Sequence, residues 1–384
     1  MRLAYVCQYF TTEFRGPVTN LMHELSKKVN VINYSSLQKH MQYYRGGAHE
    51  SGIETISDRL TLKRYKTAFK ISGLLFPRGL SDMLAQDRPD IVQSEEYYQP
   101  ATRQAMNWAK KEGVPLIVNH RGSSPRDRTL RERAFFGLAN PSAKPIVDYA
   151  SAIICLSKAG KQSLLSVYPG IEDKIRIVPN SIDPHMYRGA NGDGFRKEHG
   201  IPAEAPLLMC VSRLHPQKRL DLLIRSFARV KMQIQDAMLA IIGPSFPKER
   251  AKLDSIIAEL GLTDIIFTGP IPNEILHHAY AAADVCAMTS EYEPFGYSLL
   301  EGMAQSKPQV AFGIGAVPEI IANGVTGYAV PYPDTGAFGD RVSELLADHN
   351  AARRMGTAGL TRVKDRFSLK TSAEKLVKLY EEVA

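Results

Sequence analysis

The chain has 384 residues, 44% hydrophobic and 23% charged, a balance that excludes a fibrous or disordered protein and, at about 150 residues per domain, calls for two domains. No uncharged apolar run approaches the ~18 residues of a membrane-spanning helix. The formal net charge of +8 is uneven: residues 1–185 carry 26 Lys+Arg against 17 Asp+Glu, whereas residues 186–384 carry 22 against 23.

The start, "MRLAYVCQYF", reads as a first buried strand and not as a secretory signal, so a cytosolic protein, free or at the inner face of a membrane, is expected. Further strands are predicted at "VNVINY", "DIVQS", "PLIVNH", "AIICLS" and "IRIVPN", separated by helical stretches such as "PATRQAMNWAKKEG". In "RLTLKRYKTAFKISGLLF", Leu62, Tyr65, Phe69 and Phe76 fall near helical spacing, with Lys63, Lys66 and Lys70 elsewhere on the circumference. This predicts either an interfacial helix against anionic lipid or a core-packing helix with solvated lysines. Glu95 and Glu96 stand at one strand end, where they either bind hydroxyls of an acceptor or cap the next helix. His120 closes "PLIVNH", and Arg121, Arg126, Arg128, Arg131 and Arg133 follow it. Such a surface suits a phosphate-bearing or membrane-bound partner. No nucleic-acid-binding motif accompanies the charge, so nucleic acid is not expected.

The Gly- and Pro-rich stretch "DPHMYRGANGDGFRKEHGIPAEAP" is the predicted linker. Beyond it the plan repeats, with strands at "PLLMCVS", "AMLAIIG", "IIFTG", "VCAMTS", "QVAFG" and "GYAVPY". Short apolar runs alternating with amphipathic ones predict an α/β protein of two doubly wound, Rossmann-like parallel-sheet domains, 1–185 and 186–367, followed by a helix over 368–384. Ligands of such sheets bind at the carboxyl ends of the strands, so the active site is expected in the cleft between the domains. Cys7, Cys155, Cys210 and Cys286 each lie inside an apolar strand-like run and read as core residues, not as metal ligands or disulfides.

In the second half, "VSRLHPQKRLDLLIRSF" puts Arg213 just after a strand and Lys218 near a helix start. A guanidinium, an ammonium and free backbone N–H groups at one helix mouth suit a diphosphate, although two solvated surface charges would leave the same spacing. Neither GxxxxGK nor GxGxxG occurs, which removes a Walker ATPase and a nicotinamide dehydrogenase. In "EYEPFGYSLLEGMAQSKP", seven residues separate Glu293 from Glu301. On one continuous helix the two would lie roughly 80° apart around the axis and about 12 Å apart along it, so they could not grip one atom. Pro294 and Gly296 instead predict a helix starting near Tyr297, with Glu293 in the loop before it. Carboxylates repel a diphosphate but accept from hydroxyls. A ligand with hydroxyl-rich rings on both sides of a diphosphate is a nucleotide sugar.

These residues carry a family resemblance. Glu293 to Glu301 matches the E-x7-E motif of retaining glycosyltransferases of the GT-B fold. "VSRLHPQK" resembles the Arg and Lys block of their large family 4 (group 1), "IVPNSID" resembles the segment that closes its first domain, and Gly16 sits at the place of its glycine-rich first loop. The resemblance implies hexosyl transfer with retention from a UDP- or GDP-linked sugar, metal-independent and without a further cofactor. Arg213, Lys218 and Gly16 would hold the donor diphosphate, Glu301 the nucleotide ribose, and Glu293 the transferred sugar. Backbone amides of Phe295, Gly296 and Tyr297 would meet sugar or phosphate, and His120 would act at the reacting centre. Glu96, Arg121, Arg126 and Arg128 are candidates for a sugar, lipid or phosphate-bearing acceptor, and the final helix is expected to cross back onto the first domain.

Two positions depart from the family pattern. Gly16 is followed by Pro17, which has no N–H to offer, and Arg219 replaces the usual glycine after the lysine, leaving a phosphate contact or a solvated side chain. Glu319 matches a common family glutamate, and a helix-start role fits it equally well. The residues also leave open a nucleotide-sugar epimerase of the same fold and a non-catalytic two-domain sugar- or anion-binding protein.

Overall fold

The computed structural model describes residues 1–10, 17–38, 49, 52–71, 73–122 and 130–384. Gly16, Arg126 and Arg128 lie outside them. The chain divides into two compact units, Met1–Pro179 with Leu369–Ala384, and Asn180–Ser368.

Unit 1 runs β1 (Arg2–Val6), α1 (Pro17–Ser26), β2 (Asn30–Ser36), β3 (Ile53–Ser57), β4 (Leu60–Ile71), β5 (Leu74–Arg78), α2 (Leu80–Asp87), β6 (Ile91–Glu95), α3 (Pro100–Glu112), β7 (Leu116–His120), α4 (Leu130–Tyr149), β8 (Ala152–Cys155), α5 (Lys158–Leu165) and β9 (Ile175–Ile177). Its sheet has the order β3-β4-β2-β1-β6-β7-β8-β9, with β5 added on β4. Neighbours from β4 through β9 pair in parallel, while β3 and β5 pair antiparallel with β4. Strand order reverses between β1 and β6, the position at which doubly wound sheets bind ligands.

The stretch read as a helix is therefore the β4–β5 hairpin. Leu60 and Leu62 are buried, and so is Arg64, whose Nη1 donates to the Phe10 carbonyl at 3.0 Å. A cation in an inward position hides the period-2 alternation that marks a strand. Leu62 and Tyr65 are core residues and face no membrane.

Unit 2 runs α6 (Asp193–Glu198), β10 (Leu207–Val211), α7 (Leu220–Gln233), β11 (Met238–Ile242), α8 (Pro247–Glu259), β12 (Ile265–Gly269), α9 (Asn273–Ala282), β13 (Val285–Met288), α10 (Tyr297–Ala304), β14 (Gln309–Phe312), α11 (Val317–Ile320), β15 (Gly327–Val330), α12 (Thr335–Ala347) and α13 (His349–Arg366). Its six strands pair in parallel in the order β12-β11-β10-β13-β14-β15, so the switch point lies between β10 and β13. The stretch predicted as a linker belongs to this unit: Phe195, Ile201 and Ala205 are buried against Leu207, Met209 and Tyr280. Accordingly the division falls after Pro179 and not at 185, because the Ile182 N–H already bonds the Phe367 carbonyl at 3.0 Å.

Helix α14 (Leu369–Val383) packs in unit 1, burying Ala373, Leu376, Leu379 and Tyr380 against Leu3, Tyr5, Val31 and Ile91. The Tyr380 hydroxyl donates to Gln93 Oε1. All four cysteines are buried and free, and burial pushes each thiol up to about 12. Among the described residues no helix is long and apolar enough to cross a membrane, and no group of three His, Cys, Asp or Glu side chains is placed to hold a metal ion.

Candidate active site

In unit 2, the loops leaving β10 and β13 meet at the switch point. The β10 loop carries Arg213 and Lys218, the β13 loop carries Glu293, and three hydrogen bonds join them. Thr289 Oγ1 donates to the Lys218 carbonyl at 3.0 Å, Gln217 Nε2 to the Tyr292 carbonyl at 2.9 Å, and the Glu291 N–H to the Gln217 carbonyl at 3.0 Å. Lys218 Nζ consequently sits 2.7 Å from Glu293 Oε2, which also accepts from Ser290 Oγ at 3.1 Å. Glu293 is buried, whereas Arg213 is exposed and forms no ion pair among the described residues.

Glu293 does lie in a loop, and α10 starts at Tyr297 behind Gly296 in the left-handed region, φ 100°. A Cβ on Gly296 would come 3.2 Å from Leu299 Cδ1 and 3.5 Å from Glu293 Cγ. From the other side Gly315, φ 54°, lies so close that a Cβ there would be 2.2 Å from the Glu293 carbonyl oxygen, which itself accepts from the Ala316 N–H at 3.1 Å. The Phe295 ring is buried, 5.5 Å from that of Tyr297 and 6.2 Å from that of Phe367, leaving its backbone as the group to offer.

Glu301 stands on the first turns of α10. The Tyr280 hydroxyl donates to its Oε2 at 2.7 Å, and Tyr187 bonds it as well. Loss of water around the carboxyl raises it above its ordinary range, and the two hydroxyls offset only part of that rise.

Arg219 does not simply face solvent: its side chain is held within unit 2. Its backbone is left-handed, φ 46°, the conformation that explains a usual glycine there. Its guanidinium forks onto Asp221, Nε to Oδ1 and Nη2 to Oδ2, both at 3.0 Å, and Nη1 donates to the Tyr332 hydroxyl. Glu319 lies in the four-residue α11, and Arg362 Nη2 donates to its carbonyl at 2.7 Å.

In unit 1, His120 and the two glutamates collect at the carboxyl ends of β7 and β6, on one side of the β1/β6 switch point. The Arg121 guanidinium pairs with buried Glu95, Nη2 to Oε1 at 2.6 Å, while Tyr5 and Asn119 donate to the same carboxylate. Neither glutamate caps α3, whose N-cap is Gln99. Glu96 has a left-handed backbone, φ 56°, with one carboxylate oxygen on the Arg121 N–H at 3.1 Å and the other 3.6 Å from His120 Nδ1. A non-glycine residue in that region costs about 1–2 kcal/mol and is typical of a functional position. His120 is 3% exposed, and among the described residues both ring nitrogens and Glu96 Oε2 are buried without a hydrogen-bond partner. Buried polar atoms are normally satisfied, which marks these three as candidate binding atoms.

Ser290, Tyr280, Tyr187 and Thr289 carry no sequence signal of their own. Each is a side chain whose role appears only in the folded arrangement of its neighbours.

The profile of glycosyl transferases group 1 matches residues 193–362, and that of glycosyltransferase family 4 matches residues 19–185. The chain is 30% identical over 287 residues to the alpha-maltose-1-phosphate synthase of Mycolicibacterium smegmatis, covering 71% of this chain and 74% of that protein. It is 32% identical over 334 residues to the GDP-mannose-dependent alpha-(1-6)-phosphatidylinositol monomannoside mannosyltransferase of the same organism, covering 74% and 87%. Among solved structures, Anabaena HepE in complex with UDP superposes with a TM-score of 0.79 at 18% identity over the full length of both chains. Sucrose-phosphate synthase of Thermosynechococcus elongatus does so with 0.77 at 19% identity, over 99% and 98%. With two such sheets and these matches, the chain belongs to the group 1 glycosyltransferases of the GT-B fold.

Proposed function

We propose that the protein transfers a hexosyl group, with retention, from a UDP- or GDP-linked sugar to an acceptor bound by unit 1. The observation that carries this is the meeting of Lys218, Glu293 and the mouth of α10 at the β10/β13 switch point, with exposed Arg213 beside them and Glu301 further along α10. A nucleotide sugar laid along that edge puts its diphosphate at Arg213 and Lys218, its ribose hydroxyls at Glu301 and its hexose at Glu293. The backbone N–H groups of Phe295 to Tyr297 add donors at the helix mouth.

Chemically, the site has to stabilise the negative charge that grows on the leaving diphosphate. Lys218, held by Glu293, together with Arg213 and a helix N-terminus supplies positive charge for this, which is why metal-independent transfer is our reading. Glu293 is held by Lys218 and Ser290 and accepts from sugar hydroxyls; no covalent glycosyl-enzyme is required of it. The departing diphosphate takes the acceptor proton on the face it leaves, which keeps the anomeric configuration. Buried His120 and half-buried Glu96 are assigned to hydroxyls of the sugars in unit 1. Arg121 orders Glu95 and presents its N–H to Glu96, so its part is positioning.

The relative named as a phosphatidylinositol monomannoside mannosyltransferase has a lipid in its name, and the charge excess of unit 1 suits an anionic acceptor or membrane surface on the cytosolic side. Incubation with a panel of UDP- and GDP-sugars, with and without candidate acceptors, tests the reading through nucleotide release. Turnover that depends on Glu293 is expected. No turnover with any donor, together with unchanged donor affinity in Glu293→Ala, would sink it.

A further inference from the structure

Unit 1 contains a cavity of about 490 Å³ between the β4–β5 hairpin, α3 and α4, within the size range of small-molecule sites. Its wall is apolar and aromatic, with Ile71 and Phe76 from the hairpin, Tyr97 and Tyr98 from the loop after β6, and Phe135 and Ile146 from α4. Among the described residues Arg103 is the one charged residue in the lining, and no acid contributes. The apolar surface continues outside: Phe69 stacks on Phe76 at 4.3 Å and is 53% exposed, and the lining residues Ile71 and Leu138 are 56% and 80% exposed. Large side chains so exposed are unusual for a surface with nothing to bind. The hairpin that carries Phe69 and Ile71 also exposes Lys66, Lys70 and Arg78. Inside, Gln104 donates its Nε2 to the Pro77 carbonyl at 2.8 Å, which fixes its amide and leaves its buried Oε1 unpartnered among the described residues. Tyr97 joins the cavity to the acceptor residues: it lines the wall and lies 5.6 Å, ring to ring, from His120.

We propose that this cavity receives the hydrocarbon chain of an anionic amphiphile, and that this amphiphile is the acceptor. The apolar wall takes the chain, the cations of the hairpin and Arg103 take the anionic linkage at the mouth, and the Tyr97 contact places the head of the molecule toward His120 and Glu96. The role as acceptor rests on the transferase reading; the binding of the chain does not.

Calorimetric titration of the full chain with dodecyl phosphate, below its micellar concentration, tests this directly. One saturable site is expected. Ala139→Trp, which fills the cavity from α4, and Leu138→Asp, at an exposed position that cannot disturb the core, should each weaken it at least tenfold. Butyl phosphate and neutral dodecyl maltoside should each bind at least tenfold more weakly than dodecyl phosphate. Equal affinity in wild type and Ala139→Trp overturns the proposal, as does butyl phosphate binding as tightly as dodecyl phosphate, which would mean a phosphate on a cationic surface. Binding only to vesicles of anionic phospholipid, unaffected by Ala139→Trp, also overturns it in favour of a surface contact. UDP affinity should be the same in both variants and the wild type. A chain that binds dodecyl phosphate but turns over no nucleotide sugar would keep the cavity and lose the transferase reading; the reverse outcome would separate them the other way.

Discussion

Lys218→Met removes one half of the ion pair on which the donor site is built. Lys218 Nζ and Glu293 Oε2 are 2.7 Å apart, with side-chain exposures of 18% and 9%. At an effective dielectric constant of about 20 the gross attraction at that separation is about 6 kcal/mol. Much of this offsets the loss of hydration, and removing one partner of a buried pair costs about 3–5 kcal/mol because the other charge is left unpaired. With Lys218 partly in contact with water, about 3 kcal/mol of lost stability is expected for Lys218→Met without ligand. Glu293→Gln should cost less, since Ser290 can still donate to the amide oxygen. The double variant should be more stable than the sum of the two losses predicts, by about 2 kcal/mol, because no stranded charge remains. Urea denaturation of the four proteins measures this coupling. Additivity within about 0.5 kcal/mol would show that the two side chains do not interact and refute the reasoning. Loss of the cation should also lower kcat/KM for the nucleotide sugar by about 10²–10³-fold.

Gly315→Ala should destabilise unit 2 by at least about 2 kcal/mol, the left-handed φ contributing about half and the approach of 2.2 Å to the Glu293 carbonyl the rest; an unchanged thermal midpoint would contradict the packing described. Glu301→Gln tests the raised carboxyl. The folded chain takes up this proton at higher pH than the unfolded chain does, so the ionised carboxylate costs stability above that window and costs nothing below the ordinary carboxyl range. The glutamine variant should therefore be equal or more stable near pH 8, and the difference should shrink as pH falls toward 4; melting curves across that range check the sign. Arg121→Ala should cost about 2–4 kcal/mol by stranding Glu95, whose carboxylate then keeps, among the described residues, Tyr5 and Asn119; a loss of acceptor affinity with no loss of stability would make Arg121 a binding residue instead.

Most of the architecture was legible because parallel strands buried on both faces write themselves as short apolar runs. The six second-half strands "PLLMCVS" to "GYAVPY" all appear as β10 to β15, and Pro294 with Gly296 marked the loop-to-helix step between Glu293 and Glu301. What escaped depends on contacts distant in sequence. The β4–β5 hairpin was hidden because buried Arg64 occupies an inward position, made tolerable by the Phe10 carbonyl, Ser35 and Glu54. The linker composition of residues 183–206 masked Phe195 and Ile201, which are buried in unit 2. Arg219 was unreadable because its two alternatives were both external, whereas Asp221, two residues on, and Tyr332, far along the chain, take the guanidinium. The pairing of Lys218 with Glu293 and the two tyrosines on Glu301 likewise exist only after β10, α9 and β13 have been brought side by side.

The proposed retaining transfer from a nucleotide sugar held in unit 2 is read plainly from the anomeric configuration of the product. Proton NMR of the glycoside formed from an α-linked UDP- or GDP-hexose should show the small anomeric coupling of an α-gluco or the corresponding α-manno signature, and should lose that product in Glu293→Ala. A β-linked product from the same donor would contradict the account.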